Sequence, residues 1–288
     1  MTRREFIGVA AAAAGAAALD TAPLLGAQGD DGMSPAINPV YLIGSVTDWP
    51  LADLAAAGYR GLELIPACLD NLSVWKPAAD RTGMRLVAVN ALPELWPYLT
   101  GSLSDAVERN RRATLQRLLR LLGQMRGHEI PFLVVAPSRL AENYQSVDEA
   151  RALLVESLRE LAAAGETTIL LEAAPFRLFG SAGEIAAIVD EVARPNVAAA
   201  LDVGHAILNG ESPSAAAKTL GARLRCVQVH DAEVRPGVPR LDRHLPLGEG
   251  ALTREEFKAA AAELPIAVGI TPSSEPIAAA RAAIAWLG

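Results

Sequence analysis

The stretch TTILLEAAPFRLFGSAGEIAAIVDEVARPNVAAALDVGH, residues 167–205, decides how the chain folds. It opens on a short β-rich apolar run, 167–175, and closes on a second one, 196–205. Between them, residues 181–192 carry apolar side chains three and four apart behind a capping serine, Ser181. That is the pattern of an amphipathic helix. Strand, helix and strand in that order imply a crossover, and so parallel pairing. Both runs are continuously apolar rather than alternating, as strands covered on both faces are. Yet each ends on side chains that an apolar strand does not need: Glu172 in the first, Asp202 and His205 in the second.

Outward from this unit the same phrase repeats. YLIGSV (41–46), GLELIP (61–66), RLVAVNAL (85–92) and PFLVVAP (131–137) precede it, and LRCVQVHDAE (224–233) and PIAVGITP (265–272) follow. Helical patterns separate them at 49–59, 73–83, 102–125, 146–165, 212–222 and 253–264, with a last one at 276–288. Ser104 and Thr253 are expected to cap helices as Ser181 does. Eight β-rich runs alternating with helices, at about thirty residues per unit, predict an α/β fold of the (β/α)8 TIM barrel type. An open doubly wound sheet is the alternative, and no G-x-G-x-x-G opens a helix to support it.

Composition narrows the function. The chain has 288 residues, is 51% hydrophobic and carries a formal net charge of −7, enough for one large core. The acidic balance argues against nucleic acid, whose backbone is bound by clustered Lys and Arg. Cys68 and Cys226 lie far apart on expected elements, so neither a disulfide framework nor a thiolate metal site is predicted.

The start reads differently. MTRREFIGVAAAAAGAAALDTAPLLGAQG (1–29) pairs Arg3 with Arg4, places Phe6 after them and continues in an Ala-rich run to Ala18. This matches a twin-arginine export signal with a cleavage site near Ala27; the plainer alternative is an ordinary amphipathic helix. The run is too short for a stable membrane anchor. The expected organisation is a signal peptide and linker over 1–30 and a single barrel domain over 31–288. Export through the twin-arginine machinery predicts a folded periplasmic protein, a route often taken with a cofactor already loaded.

In a barrel of this type the C-terminal strand ends carry the chemistry. Here those ends hold Glu63, Asn90, Glu172, Asp202 with His205, and His230 with Asp231. The fourth histidine, His128, falls in a helix-to-strand turn and is expected to be solvated. Glu172, Asp202 and His230 come from three consecutive strands and should face one mouth. Two carboxylates and an imidazole suit a borderline divalent ion such as Mn²⁺, Zn²⁺, Co²⁺ or Fe²⁺. An incomplete ligand set leaves positions for substrate oxygens. Singly, each residue has a plainer reading, a carboxylate capping the next helix or a histidine satisfied by a carbonyl; their shared placement favours a common site.

LLEAAP, LDVGH, VQVHDAE and RHLPLGEG resemble the sugar phosphate isomerase/epimerase family of xylose isomerase-like TIM barrels, distantly similar to endonuclease IV. The likeness spans nearly the whole chain after the signal and is strongest from Glu172 to Gly250. It implies Glu172, Asp202 and His230 as ligands of one divalent metal, His205 as a substrate-contacting or outer-sphere group, and His244 facing the sugar. Asp242-Arg243-His244 resembles a D-x-H metal pair of the endonuclease branch. Gly248 and Gly250 are expected to form a plain tight turn rather than a phosphate cradle. The departure lies on strand 8, where the family has a glutamate and this chain has Gly269 or its neighbour. Glu275, beyond Pro272, or Glu63 could take its place, or His205 or His244 could join the ligands.

The chemistry implied is proton abstraction next to the carbonyl of a metal-held keto-sugar, with Glu172 as base and His205 and His244 orienting substrate. Without the strand-8 glutamate, single-base isomerisation or elimination fits better than two-base epimerisation. Export and the lack of a dense basic site point to a free or glycosidic keto-sugar rather than a sugar phosphate. A barrel that binds sugar or a protein partner without turnover is the alternative. A DNA-repair nuclease would need histidines on strands 3 and 4, where Asn90 and VVAPS (134–138) stand.

Overall fold

The computed structural model describes residues 35–37, 50–92, 101–138, 146–237, 240–261, 264, 266–269 and 275–288. Eight strands form a closed parallel barrel in chain order. They are β1 (Pro35–Ile37), β2 (Gly61–Leu64), β3 (Arg85–Asn90), β4 (Phe132–Val135), β5 (Thr168–Ala173), β6 (Val197–Asp202), β7 (Leu224–Val229) and β8 (Ile266–Val268). β8 pairs with β1 to complete the wall. The helices are α1 (Leu51–Ala57), α2 (Pro66–Leu69), α3 (Leu72–Thr82), α4 (Glu108–Arg126), α5 (Val147–Ala163), α6 (Ala182–Val192), α7 (Val203–Asn209), α8 (Pro213–Leu220), α9 (Arg254–Ala261) and α10 (Pro276–Leu287). Among the described residues none is long and apolar enough to cross a membrane.

The continuous apolar runs are explained by two cores. Outward-facing Leu62, Leu133, Ile169, Leu171, Leu201 and Val227 pack into one cluster with helix residues such as Leu158 and Ile185. The alternate positions, among them Ala88, Phe132, Val134, Leu170, Ala200 and Cys226, fill the barrel interior as a second cluster. Covering both faces removes any reason for polar alternation. The unit at 167–205 folds as read: β5, α6, β6. Ser181 closes a capping box with Glu184, each side chain bonding the other residue's backbone N–H. Thr253 Oγ1 likewise accepts from Glu256 N at 3.2 Å ahead of α9.

Three local expectations change. The strand that pairs with β2 and β8 is Pro35–Ile37, which was not expected, and the expected run at 41–46 lies outside the described residues. Three residues headed by proline are too short to announce a strand; pairing with both β2 and β8 makes them one. Ser104 caps no helix. It is fully buried and its hydroxyl donates to the Pro137 carbonyl at 2.9 Å, tying the β3–α4 connection to the end of β4, while α4 begins at Glu108. Finally, α7 follows β6 directly, because Asp202 Oδ1 accepts from the backbone N–H groups of Gly204 and His205 at 2.8 and 3.2 Å. The plain capping role and the site role therefore belong to one carboxylate. The twin-arginine segment lies outside the described residues.

Candidate active site

The inward-facing files of β3, β5, β6 and β7 turn polar at their C-terminal ends. Ala88 is followed two residues on by Asn90, Leu170 by Glu172, Ala200 by Asp202, and Cys226 by Gln228 and His230. Period-two geometry puts these residues on the same face as the apolar layer beneath them. Glu63, Asn90, Glu172, Asp202, His205, Gln228 and His230 are all buried. Buried carboxylates without cations cost several kcal/mol each, so this arrangement needs a compensating charge.

His205 stands at the centre. Its Nδ1 lies 2.9 Å from Glu172 Oε1 and 4.0 Å from Asp202 Oδ2, and its Nε2 lies 3.2 Å from Asp242 Oδ2. His230 Nε2 is 3.1 Å from Asp202 Oδ1, and its Nδ1 faces the Asp231 carbonyl at 2.9 Å. His244, held at φ 47° in the loop after β7, stacks on His230 with ring centroids 3.8 Å apart. Its Nε2 is 3.4 Å from Asp242 Oδ1. Ligand atoms of Glu172, Asp202 and His205 lie within 4.8 Å of one another, and so do those of His205, His230, Asp242 and His244. The predicted catalytic and metal residues thus fall into two adjoining groups that share His205, with His230 of one lying 3.1 Å from Asp202 of the other.

His205 Nε2 bonds Asp242 and His230 Nδ1 bonds the Asp231 carbonyl, while the opposite ring nitrogens face carboxylates without hydrogen-bond alignment. Glu172 Oε1 and Oε2, His205 Nδ1 and His230 Nε2 are buried with no hydrogen-bond partner, despite the short distances just given. The donor set, carboxylate oxygens with imidazole nitrogens, fits a borderline divalent cation.

The electrostatics follow from burial and proximity. Burial pushes the Glu172 carboxyl up, against the pull of His205. For Asp202, burial is outweighed by His205 and His230, and the carboxyl is held well below the usual range. Burial likewise opposes charge on His205 and His230, yet Asp202 and the neighbouring carboxylates raise both imidazoles. The Asp242 carboxyl, on a side chain only partly shielded from solvent, is lowered by its bonds to His205 and His244. His244 is lowered, by burial first and then by His230.

Glu63 lies deeper in the interior. The Asn90 and Gln228 side-chain amides both donate to its Oε1, at 3.0 and 2.9 Å. Burial, with repulsion from Glu172 and Asp202, lifts its carboxyl to about 7 against those two bonds. Glu275 is exposed at the start of α10 and joins neither donor group, and β8 leads into Gly269, so no glutamate arrives from that side among the described residues. Sequence reasoning passed over Gln228, although its place two before His230 marks it as inward-facing. It also passed over Gly204, where a Cβ would lie 2.2–2.6 Å from the His230 ring. His128 is half-buried in the turn after α4, away from the cluster.

A xylose isomerase-like TIM barrel sequence profile matches residues 51–288, most of the chain. The chain belongs to that family. Among solved structures it is similar to D-psicose 3-epimerase with D-tagatose from Clostridium cellulolyticum H10 (TM-score 0.72, 19% identity, covering 88% of this chain and 97% of that one). It is similar also to apo 3-keto-D-glucoside 4-epimerase from E. coli (TM-score 0.72, 18% identity, 89% and 98% covered). The IOLI protein with a zinc atom gives a TM-score of 0.70 at 18% identity, with 88% and 95% covered. No curated protein matches the sequence.

Proposed function

We propose that the protein is a divalent-cation-dependent sugar isomerase or epimerase-type enzyme that abstracts a proton next to the carbonyl of a keto-sugar. Elimination from a keto-glycoside is the variation most compatible with the same residues. The observation that carries the reading is the convergence of Glu172, Asp202 and His205 within 4.8 Å, with His230 3.1 Å from Asp202.

Glu172, Asp202 and His230 would hold the cation, of the Mn, Zn, Co or Fe class. When bound, the cation supplies Lewis acidity toward carbonyl and hydroxyl oxygens of the substrate. Glu172 takes the proton from carbon at a carboxylate oxygen; burial, which raises its affinity for protons, suits it to general-base work near neutral pH. His205 Nδ1 beside Glu172 and Nε2 beside Asp242 offer a path for that proton toward the mouth. His244, with its side chain 20% exposed, is placed to orient a substrate hydroxyl. One base suffices for isomerisation or elimination, and Gly269 supplies no second one. The sugar epimerases among its structural neighbours support the substrate class. Export to the periplasm by the twin-arginine route belongs to the same proposal and favours a substrate without phosphate.

The test is solvent deuterium incorporation into free and glycosidic keto-sugars with added Mn²⁺. Exchange that chelator abolishes and Glu172→Gln lacks is the expected result. Sugar binding with no exchange for any of them would favour the second reading, a non-catalytic sugar binder, which Gly269 at the glutamate position supports.

A further inference from the structure

Asp231 meets His230 through its backbone carbonyl, and its carboxylate, unlike those of Asp202 and Asp242, is turned to backbone. It is fully buried, and both its oxygens are taken by backbone. Oδ1 accepts from Ala232 N at 2.8 Å and Leu252 N at 2.9 Å. Oδ2 accepts from Gly248 N and Gly250 N, each at 2.9 Å. A carboxylate offers about four lone-pair sites, so this one is saturated and free neither to ligate nor to act as a base. Its backbone is engaged as well. Asp231 N donates to the Leu245 carbonyl at 2.8 Å and Leu245 N returns a bond at 3.0 Å. The fit is close: a Cβ on Gly250 would come within 2.3 Å of Asp231 Oδ1 and 2.4 Å of the Ala232 carbonyl oxygen.

These bonds fold residues 245–252 back onto the end of β7. The residues just before that strap are Asp242 and His244, and they reach three imidazole contacts: Asp242 to His205 at 3.2 Å, Asp242 to His230 at 3.8 Å, and the His244 ring on His230. A loop bearing two such groups has no regular secondary structure to hold it, and His244 also sits at positive φ. Something outside the loop must fix it. Asp231, next to His230 in sequence and bonded to both ends of the strap, does so.

We propose that Asp231 is the positioning residue of the centre. By clamping residues 245–252 it delivers Asp242 and His244 to His205 and His230, supplying donors that β8, leading into Gly269, does not. Only the cation arm of the test below rests on the function proposed above.

The chain has four histidines, so imidazole NMR on the full-length protein resolves each one. Wild type is compared with Asp231→Asn, which gives up one carboxylate oxygen, and with Gly250→Ala, which pushes the strap away and alters no donor. In both variants His205 and His244 should move toward the position of His128, and the His230 ring signals should shift as the His244 stack is lost, while His230 Nδ1 stays bonded to the Asp231 carbonyl. Zn²⁺ affinity should fall about tenfold, the order expected for an outer-shell contact. His205 and His244 signals unchanged in both variants would overturn the proposal, as would unaltered Zn²⁺ affinity once they have moved. If Asp231→Asn does not fold, Gly250→Ala alone decides. A wild type that takes up no Zn²⁺ while its variants show the NMR change rejects the cation reading and leaves the positioning role standing.

Discussion

The arc from β5 to β7 and the arc from β8 to β1 are built from the same kind of apolar segment, and among the described residues only the first carries the polar cluster. β5, β6 and β7 are six residues each, whereas β8 and β1 are three. A longer strand carries its inward file past the apolar layer and has room for one more inward residue at the rim. Glu172, Asp202 and Gln228 with His230 occupy those rim positions. β8 runs out at Val268, and the next residue is a glycine. The difference teaches that donors on this arc follow register at the strand ends, and that the loop after β7 adds Asp242 and His244 to the same arc.

The comparison breaks most visibly at Asp202. Asp202→Asn keeps an acceptor for the α7 cap but loses the charge facing His205 and His230. Mn²⁺ affinity, read by equilibrium dialysis, should fall at least about a hundredfold, beyond the loss expected from an outer-shell change. An unchanged affinity would mean that the rich arc is not the cation side.

Glu63 comes next, and its effect is one of pH. Its carboxyl is raised to about 7, above its ordinary value, so folding grows less favourable as pH climbs from about 4.5 to about 7 and levels off beyond. The raised His205 acts in the same direction: its contribution is whole below about 6.5 and is lost as pH rises through its folded value. The cation-free protein should therefore be less stable at pH 8 than at pH 6 in urea titrations, and added cation should close the gap. Glu63→Gln should flatten that dependence by about 1.4 kcal/mol between pH 6 and 8, since about one tenfold change in proton affinity falls in that window. A wild-type stability that rises from pH 6 to 8 without cation would contradict the charge arrangement.

Gly204→Ala sharpens the packing side of the contrast. The added methyl overlaps the His230 ring, so a loss of about 1–3 kcal/mol is expected by chemical denaturation, with weaker cation binding alongside. Smallest is Ser181→Ala, which removes the α6 capping box between β5 and β6. It should cost about 1 kcal/mol and leave cation affinity unchanged.

How much of this could be read in advance differs by element. β2 to β8 were legible because both-face burial writes itself as unbroken apolar runs, and strand ends mark where polar residues matter. β1 was not, since YLIGSV has the stronger strand composition and Pro35–Ile37 becomes a strand only by pairing on both sides. Ser104 carried a cap signature, but its contact with the Pro137 carbonyl won over the local pattern. Glu172, Asp202 and His230 were readable from position alone, whereas Asp242 and His244, in an irregular loop, came only through family resemblance. The Gln228–Glu63 bond joins residues 165 apart across the barrel, and Asp231 acts through backbone groups far along the chain; no local signal announces either.

The most direct test of the central claim is elemental analysis of the purified protein beside its Asp202→Asn variant. The account predicts close to one divalent cation of the Mn, Zn, Co or Fe class per wild-type chain and little in the variant. A wild type free of such metal after growth with all four supplied, or a variant that retains the full content, would contradict it.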